Sequence, residues 1–134
     1  MNGVFVDSCV LLDLFTDDPK WASWSESVLG KYSQSNTLII NSIVYTEVSI
    51  GFNRIEEVED AIEQVGVKVL EIPREALFLA GKVFLDYRRN NGTKSSTLPD
   101  FFIGAHAAVS SFDLITRDSA RYQTYFPGIE LICP

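Results

Sequence analysis

Cysteine and histidine are scarce in this chain of 134 residues: only Cys9, Cys133 and His106 occur. Two cysteines near opposite ends cannot build a disulfide framework, and one histidine without a nearby cysteine pair cannot build a zinc site. Both thiols are expected to be buried, and His106 to be a packed core imidazole. Positive charge is short as well. Eleven Lys and Arg face eighteen Asp and Glu, for a formal net charge of −7. That balance excludes a surface that coats nucleic acid, but not brief contact with RNA at one patch. No apolar run is long enough to span a bilayer. Met1-Asn2-Gly3 lacks the basic-then-apolar pattern of a signal peptide, so a cytoplasmic protein with no membrane contact is expected. There is no Gly-rich phosphate loop, no Gly-x-Ser-x-Gly elbow and no base beside a nucleophilic Ser or Cys. Repeats, low-complexity tracts and linkers are absent too.

What remains is 46% apolar content, enough for one compact domain over residues 1–134. Short apolar runs predict strands at 4–6, 38–40, 67–72, 114–116 and 130–132. Helical spacing predicts helices at 9–15, 21–32, 43–52, 55–65, 75–89 and 100–111, with Pro99 suited to a first turn. Asp7 or Ser8 caps the first of these helices, and Asn41-Ser42 offers a cap for the third. Residues 90–97 carry no apolar side chain and read as a solvated loop. Strands alternating with helices predict an α/β fold with a central, mainly parallel sheet flanked by helices.

Most acids fall on polar helix faces, but four do not. Asp7 and Asp118 follow strands, where open α/β sheets form their sites. Glu47 shares a helical face with Ile43 and Ile50, so its charge faces the core or a cleft. Asp100 opens the most apolar helix, at the positive end of the helix dipole. Each has a plain structural alternative. Asp7 and Asp118 could cap helices, Asp100 could complement a dipole, and Glu47 could pair with a basic side chain. Three acids at element starts along one sheet edge nevertheless suggest gathered negative charge, which a hard cation such as Mg²⁺ or Mn²⁺ makes tolerable.

Four blocks carry a resemblance. They are Val6-Asp7-Ser8-Cys9-Val10-Leu11-Leu12, then Tyr45-Thr46-Glu47-Val48, then the stretch from Leu98-Pro99-Asp100 through His106-Ala107, and last Leu114-Ile115-Thr116-Arg117-Asp118 with Tyr125-Phe126-Pro127-Gly128-Ile129. In order, spacing and total length the chain resembles the PIN domain, most closely the VapC-like ribonuclease toxins of toxin–antitoxin pairs. The resemblance implies a metal-dependent endoribonuclease with Asp7, Glu47, Asp100 and Asp118 as catalytic residues. It further implies Asp7 and Asp100 as direct ligands of Mg²⁺ or Mn²⁺, with Thr116 as an auxiliary polar group. Hydrolysis would leave a 5′-phosphate and a 3′-hydroxyl. The implied partners are an RNA substrate, a cognate antitoxin and a second copy in a homodimer.

One departure concerns Cys9, which stands where the family often has Asn. Arg88, Arg89, Lys94, Arg117 and Arg121 border these blocks and are expected to form a local phosphate-binding rim. Trp21, Trp24, Val28, Ile55, Val58 and Ile62 serve either the core or an antitoxin groove. The competing reading is a catalytically silent PIN-like module that binds RNA or protein. A phosphatase-like enzyme using Asp7 as nucleophile lacks a second Asp, because Cys9 occupies that place.

Overall fold

The computed structural model describes residues 2–90 and 98–134. Five strands form one sheet: β1 (Gly3–Val6), β2 (Thr37–Asn41), β3 (Lys68–Leu70), β4 (Asp113–Ile115) and β5 (Leu131–Ile132). Their order is β3-β2-β1-β4-β5, and every pairing is parallel. Among the described residues the helices are α1 (Ser8–Phe15), α2 (Ala22–Ser33), α3 (Ser42–Ser49), α4 (Ile55–Val65), α5 (Arg74–Arg89), α6 (Leu98–Val109) and α7 (Ala120–Gln123).

The central strands are buried along almost their whole length. Val4, Phe5, Val6, Leu38, Ile39, Ile40, Leu114 and Ile115 all lie in the core. Continuous apolar runs of this kind are what a sheet covered on both faces demands. The edge strands β3 and β5 are shorter than expected, since Lys68 and Val69 are exposed and Leu131 and Ile132 only partly covered. Helix α4 stops at Gly66, whose φ of 83° is the left-handed conformation that glycine adopts without strain.

Two expectations about side chains change. Cys133 is an exposed free thiol, because it follows an edge strand, whereas Cys9 is partly buried. Val28, Val58 and Ile62 belong to the core, but Ile55 is 65% exposed at the start of α4. The expected loop at 90–97 begins at Asn90, and residues 91–97, including Lys94, lie outside the described residues. Helix α7 was not foreseen, being a single short turn.

The chain visits β1, moves outward to β2 and β3, and returns to the other side of β1 as β4. The strand order therefore reverses between β1 and β4, and the carboxyl ends of strands at such a reversal are where open α/β sheets form their sites. Helix α6 is fixed beside that reversal by close packing. A Cβ on Gly104 would collide with the ring of Phe126, and Phe101 packs edge-on against Phe84 and Tyr125 at ring distances of 5.6 and 5.7 Å.

Candidate active site

Asp7 is the last residue carried out by β1, and its backbone N–H still donates to Ile115 O at 2.9 Å. The side chain is only 1% exposed. Its Oδ1 accepts from the Ser8 N–H at 2.8 Å, capping α1, and its Oδ2 accepts from the Thr116 hydroxyl at 2.8 Å and the Tyr122 hydroxyl at 2.9 Å. The capping role and a site role thus coexist in one residue. Burial raises the pKa of Asp7, and nearby Asp100 raises it further, while the Thr116 and Tyr122 hydroxyls pull it down.

Thr116 links two of the acids. Its Oγ1 donates to Asp7 and accepts from the Asp118 N–H at 3.1 Å. Cys9 adds a weaker contact, with Sγ 3.7 Å from Asp7 Oδ2 and 3.8 Å from Thr116 Oγ1. Burial, and then the charge of Asp7, push this thiol up to about 12, so it stays protonated and is no nucleophile.

Glu47 comes from α3, which Asn41 caps by accepting from the N–H groups of Ile43 and Val44 at 3.0 and 3.1 Å. Its carboxyl pKa is raised by burial first; the Ser8 hydroxyl lowers it, Asp7 and Asp100 raise it, and Arg121 lowers it. Glu47 Oε1 is buried and without a hydrogen-bond partner among the described residues. A buried, unpaired carboxylate oxygen is rare and marks a place where a cation or proton belongs.

Asp100, in the first turn of α6, is 3% exposed, whereas Asp118 is partly exposed. Arg121 approaches both: Nη1 lies 3.5 Å from Asp100 Oδ1, and Nε lies 3.3 Å from Asp118 Oδ2. Partial burial works against the charge on Arg121, but Asp100, Asp118 and Asp7 together outweigh it. Asp7, Glu47, Asp100 and Asp118 therefore share one neighbourhood at the switch between β1 and β4. Among the described residues no three of them stand close enough to hold one ion in this conformation.

The expected basic rim is altered. Arg117 is committed to Asp13 by two bonds, Nε to Oδ2 at 2.6 Å and Nη2 to Oδ1 at 3.2 Å, and lies over Trp21. Arg88 and Arg89 are exposed in the last turn of α5. Sequence reasoning missed Ser8, Tyr122 and the placement of Arg121. Only the four-residue spacing of Tyr122 and Phe126, two aromatic side chains buried near the sheet, hinted at the turn that carries them. His106, expected in the core, is buried there.

An open parallel sheet with carboxylates gathered at its switch point defines a class of small acidic-site α/β domains. Within that class the family is specific: the sequence model of the PIN domain matches residues 4–127, and the chain belongs to the PIN domain family. No curated protein matches the chain. Among solved structures, it is similar to VapBC2 from Rickettsia felis bound to a promoter DNA fragment, at 15% identity and a TM-score of 0.77, covering 98% of both chains. VapBC-1 from nontypeable Haemophilus influenzae gives 18% identity and a TM-score of 0.74, over 98% of this chain and 97% of that one. A toxin–antitoxin complex from Klebsiella pneumoniae gives 20% identity and a TM-score of 0.70, with the same coverage.

Proposed function

We propose that residues 1–134 act as one PIN-like unit, a metal-dependent endoribonuclease that is the toxin of a toxin–antitoxin system. The observation that carries this reading is the meeting of Asp7, Glu47, Asp100 and Asp118 around Arg121. The donor set is all oxygen, apart from a thiol held protonated, and the unpartnered Glu47 Oε1 fits a hard cation such as Mg²⁺ or Mn²⁺. Asp7 and Asp100 are the proposed ligands, with Glu47 and Asp118 completing the catalytic set. The bound ion would polarise the phosphodiester and lower the pKa of water.

The chain's own residues do the rest. Thr116 and Tyr122 fix the Asp7 carboxylate in place, and the Asp118 N–H holds Thr116 in turn. Glu47 would orient the attacking water and receive its proton, a role suited to a carboxyl whose pKa burial has raised. The water oxygen would bond to phosphorus as the bond to O3′ breaks and O3′ takes a proton from solvent, leaving a 5′-phosphate and a 3′-hydroxyl.

The solved neighbours include a toxin–antitoxin complex, so a cognate antitoxin is the proposed partner. A groove of about 410 Å³ lined by Leu14, Phe15, Leu29 and Val65, with Glu26 and Gln64 among its polar residues, is the surface it would cover. A homodimer would use exposed Leu77, Phe78 and Leu85 of α5. No helix among the described residues is long and apolar enough to cross a membrane, which accords with the proposed cytoplasmic location.

The silent-module reading draws on one observation: Asp7 already accepts hydrogen bonds from Ser8, Thr116 and Tyr122, with a weaker one from the Cys9 thiol. Incubation with structured RNAs in Mg²⁺ or Mn²⁺ separates the two. Cleavage to 5′-phosphate ends that Asp7→Asn and Asp100→Asn abolish supports the nuclease. RNA that binds but stays intact in every metal condition supports the module.

A further inference from the structure

Arg117 and Arg121 leave the same segment after β4 and are held in opposite ways. Arg117 fits its planar fork to a single carboxylate through contacts of 2.6 and 3.2 Å, and Asp13 on the other side is only 6% exposed. A matched bidentate pair of this kind is a fixed part of the frame. Arg121 instead spans two carboxylates with one longer contact to each, at 3.5 Å to Asp100 and 3.3 Å to Asp118, and its side chain is 41% exposed. Neither contact reaches the roughly 2.7–2.9 Å of a strong charge-assisted hydrogen bond. Arg121 is drawn to these carboxylates by charge, and Asp7 and Glu47 add to that attraction.

A guanidinium has five donors and no acceptor, so it cannot contribute to a cation's ligand set. It repels a divalent ion at short range, and both compete for the same Asp100 carboxylate. We infer that Arg121 is a resident counterion of the acidic cleft, seated where the divalent cation binds and displaced outward when the cation arrives, so that its guanidinium meets the phosphate of incoming RNA. This rests on the metal-site reading above. Displacement solves two electrostatic problems with one side chain. The cluster of four carboxylates stays partly neutralised before metal binds, and a positive charge reaches the rim of an acidic protein only when the site is loaded. Arg117 cannot take the second role, because Asp13 already occupies its fork.

The test uses the full chain with Mg²⁺ alone as the probe. In ¹H–¹⁵N spectra of the arginine Nε–H groups, the Arg121 signal, assigned by its loss in Arg121→Lys, should shift as Mg²⁺ saturates, while the Arg117 signal stays put. By calorimetry, Arg121→Gln should bind Mg²⁺ about three- to tenfold more tightly, since a competing positive charge is gone. The same variant should raise KM for RNA about threefold and lower its salt dependence by about one counterion. A purely structural arginine would weaken both interactions together. If backbone signals of Asp7 and Ser8 respond to Mg²⁺ while Arg121 does not, the displacement is wrong and the metal site stands. If no site signal responds to Mg²⁺, the metal-site reading falls and takes this inference with it.

Discussion

Asn41 donates its side-chain amide hydrogen to Nδ1 of His106 across 3.1 Å. The direction follows from chemistry, because Asn41 Oδ1 is already engaged by two backbone N–H groups at the start of α3. His106 must then accept at Nδ1 and carry its proton on Nε2. The middle of α6 is thereby tied to the cap of the helix that bears Glu47.

Acid should loosen this tie. Burial lowers the pKa of His106, and among the described residues its ring meets Asn41, Phe5 and Phe112, none of them charged. A depressed folded value means the contribution is complete above the ordinary 6.5 and is lost as pH falls through the lower folded value. The slope is at most about 1.4 kcal/mol per pH unit. Asp7 and Glu47, with raised values, act in the opposite sense. Melting temperature measured from pH 7.5 to 5 should therefore fall more steeply in the wild type than in His106→Gln. Parallel curves would refute the assignment.

Metal should stabilise the fold through the carboxylates. At a Mn²⁺ concentration a hundred times the dissociation constant, the gain is about 2.7 kcal/mol. Asp100→Asn should gain clearly less and Asp7→Asn almost nothing, although both melt cooperatively without metal. Thermal scans across a Mn²⁺ titration give the answer; identical shifts in all three proteins would mean that the ion binds elsewhere.

The Asp13–Arg117 pair should matter for stability and not for metal. Asp13 is buried on α1, and Arg117 →Ala would leave its carboxylate without the guanidinium. The expected loss is about 2–3 kcal/mol, at the low end for a buried pair because Arg117 is partly exposed. Urea unfolding measures it. Mn²⁺ should still raise the melting temperature of this variant by the wild-type amount.

Gly104 should not tolerate a side chain. Its α6 backbone lies against Phe126, which is buried, so Gly104→Ala forces the ring or the helix to move. The expected cost is about 1–3 kcal/mol. Adding Phe126→Leu should recover part of that loss in denaturant unfolding, which an unrelated surface effect would not do.

Much of the fold was legible because its signals are local. Val4-Phe5-Val6 and Leu38-Ile39-Ile40 announce buried strands, and Asn41 stands where a helix cap belongs. The four acids were readable as misplaced charges, since a carboxylate such as Glu47 on an apolar face conflicts with its surroundings. Tyr122 and Ser8 were not readable, because a hydroxyl has no local pattern and acquires meaning only from the carboxylate it meets. Arg117 and Arg121 looked alike in sequence. Only the position of Asp13, more than a hundred residues earlier, tells them apart. Helix α7, four residues long, is too brief to show a period.

The bond from Thr116 to Asp7 joins positions 109 apart in the chain. Until the fourth strand slides in beside the first, Asp7 lacks its hydroxyl support, and neither Asp118 nor Arg121 has arrived. A polypeptide that ends before that strand would hold Asp7 and Glu47 without the partners that the proposed chemistry needs. Late completion of this cluster is thus written into the order of the strands.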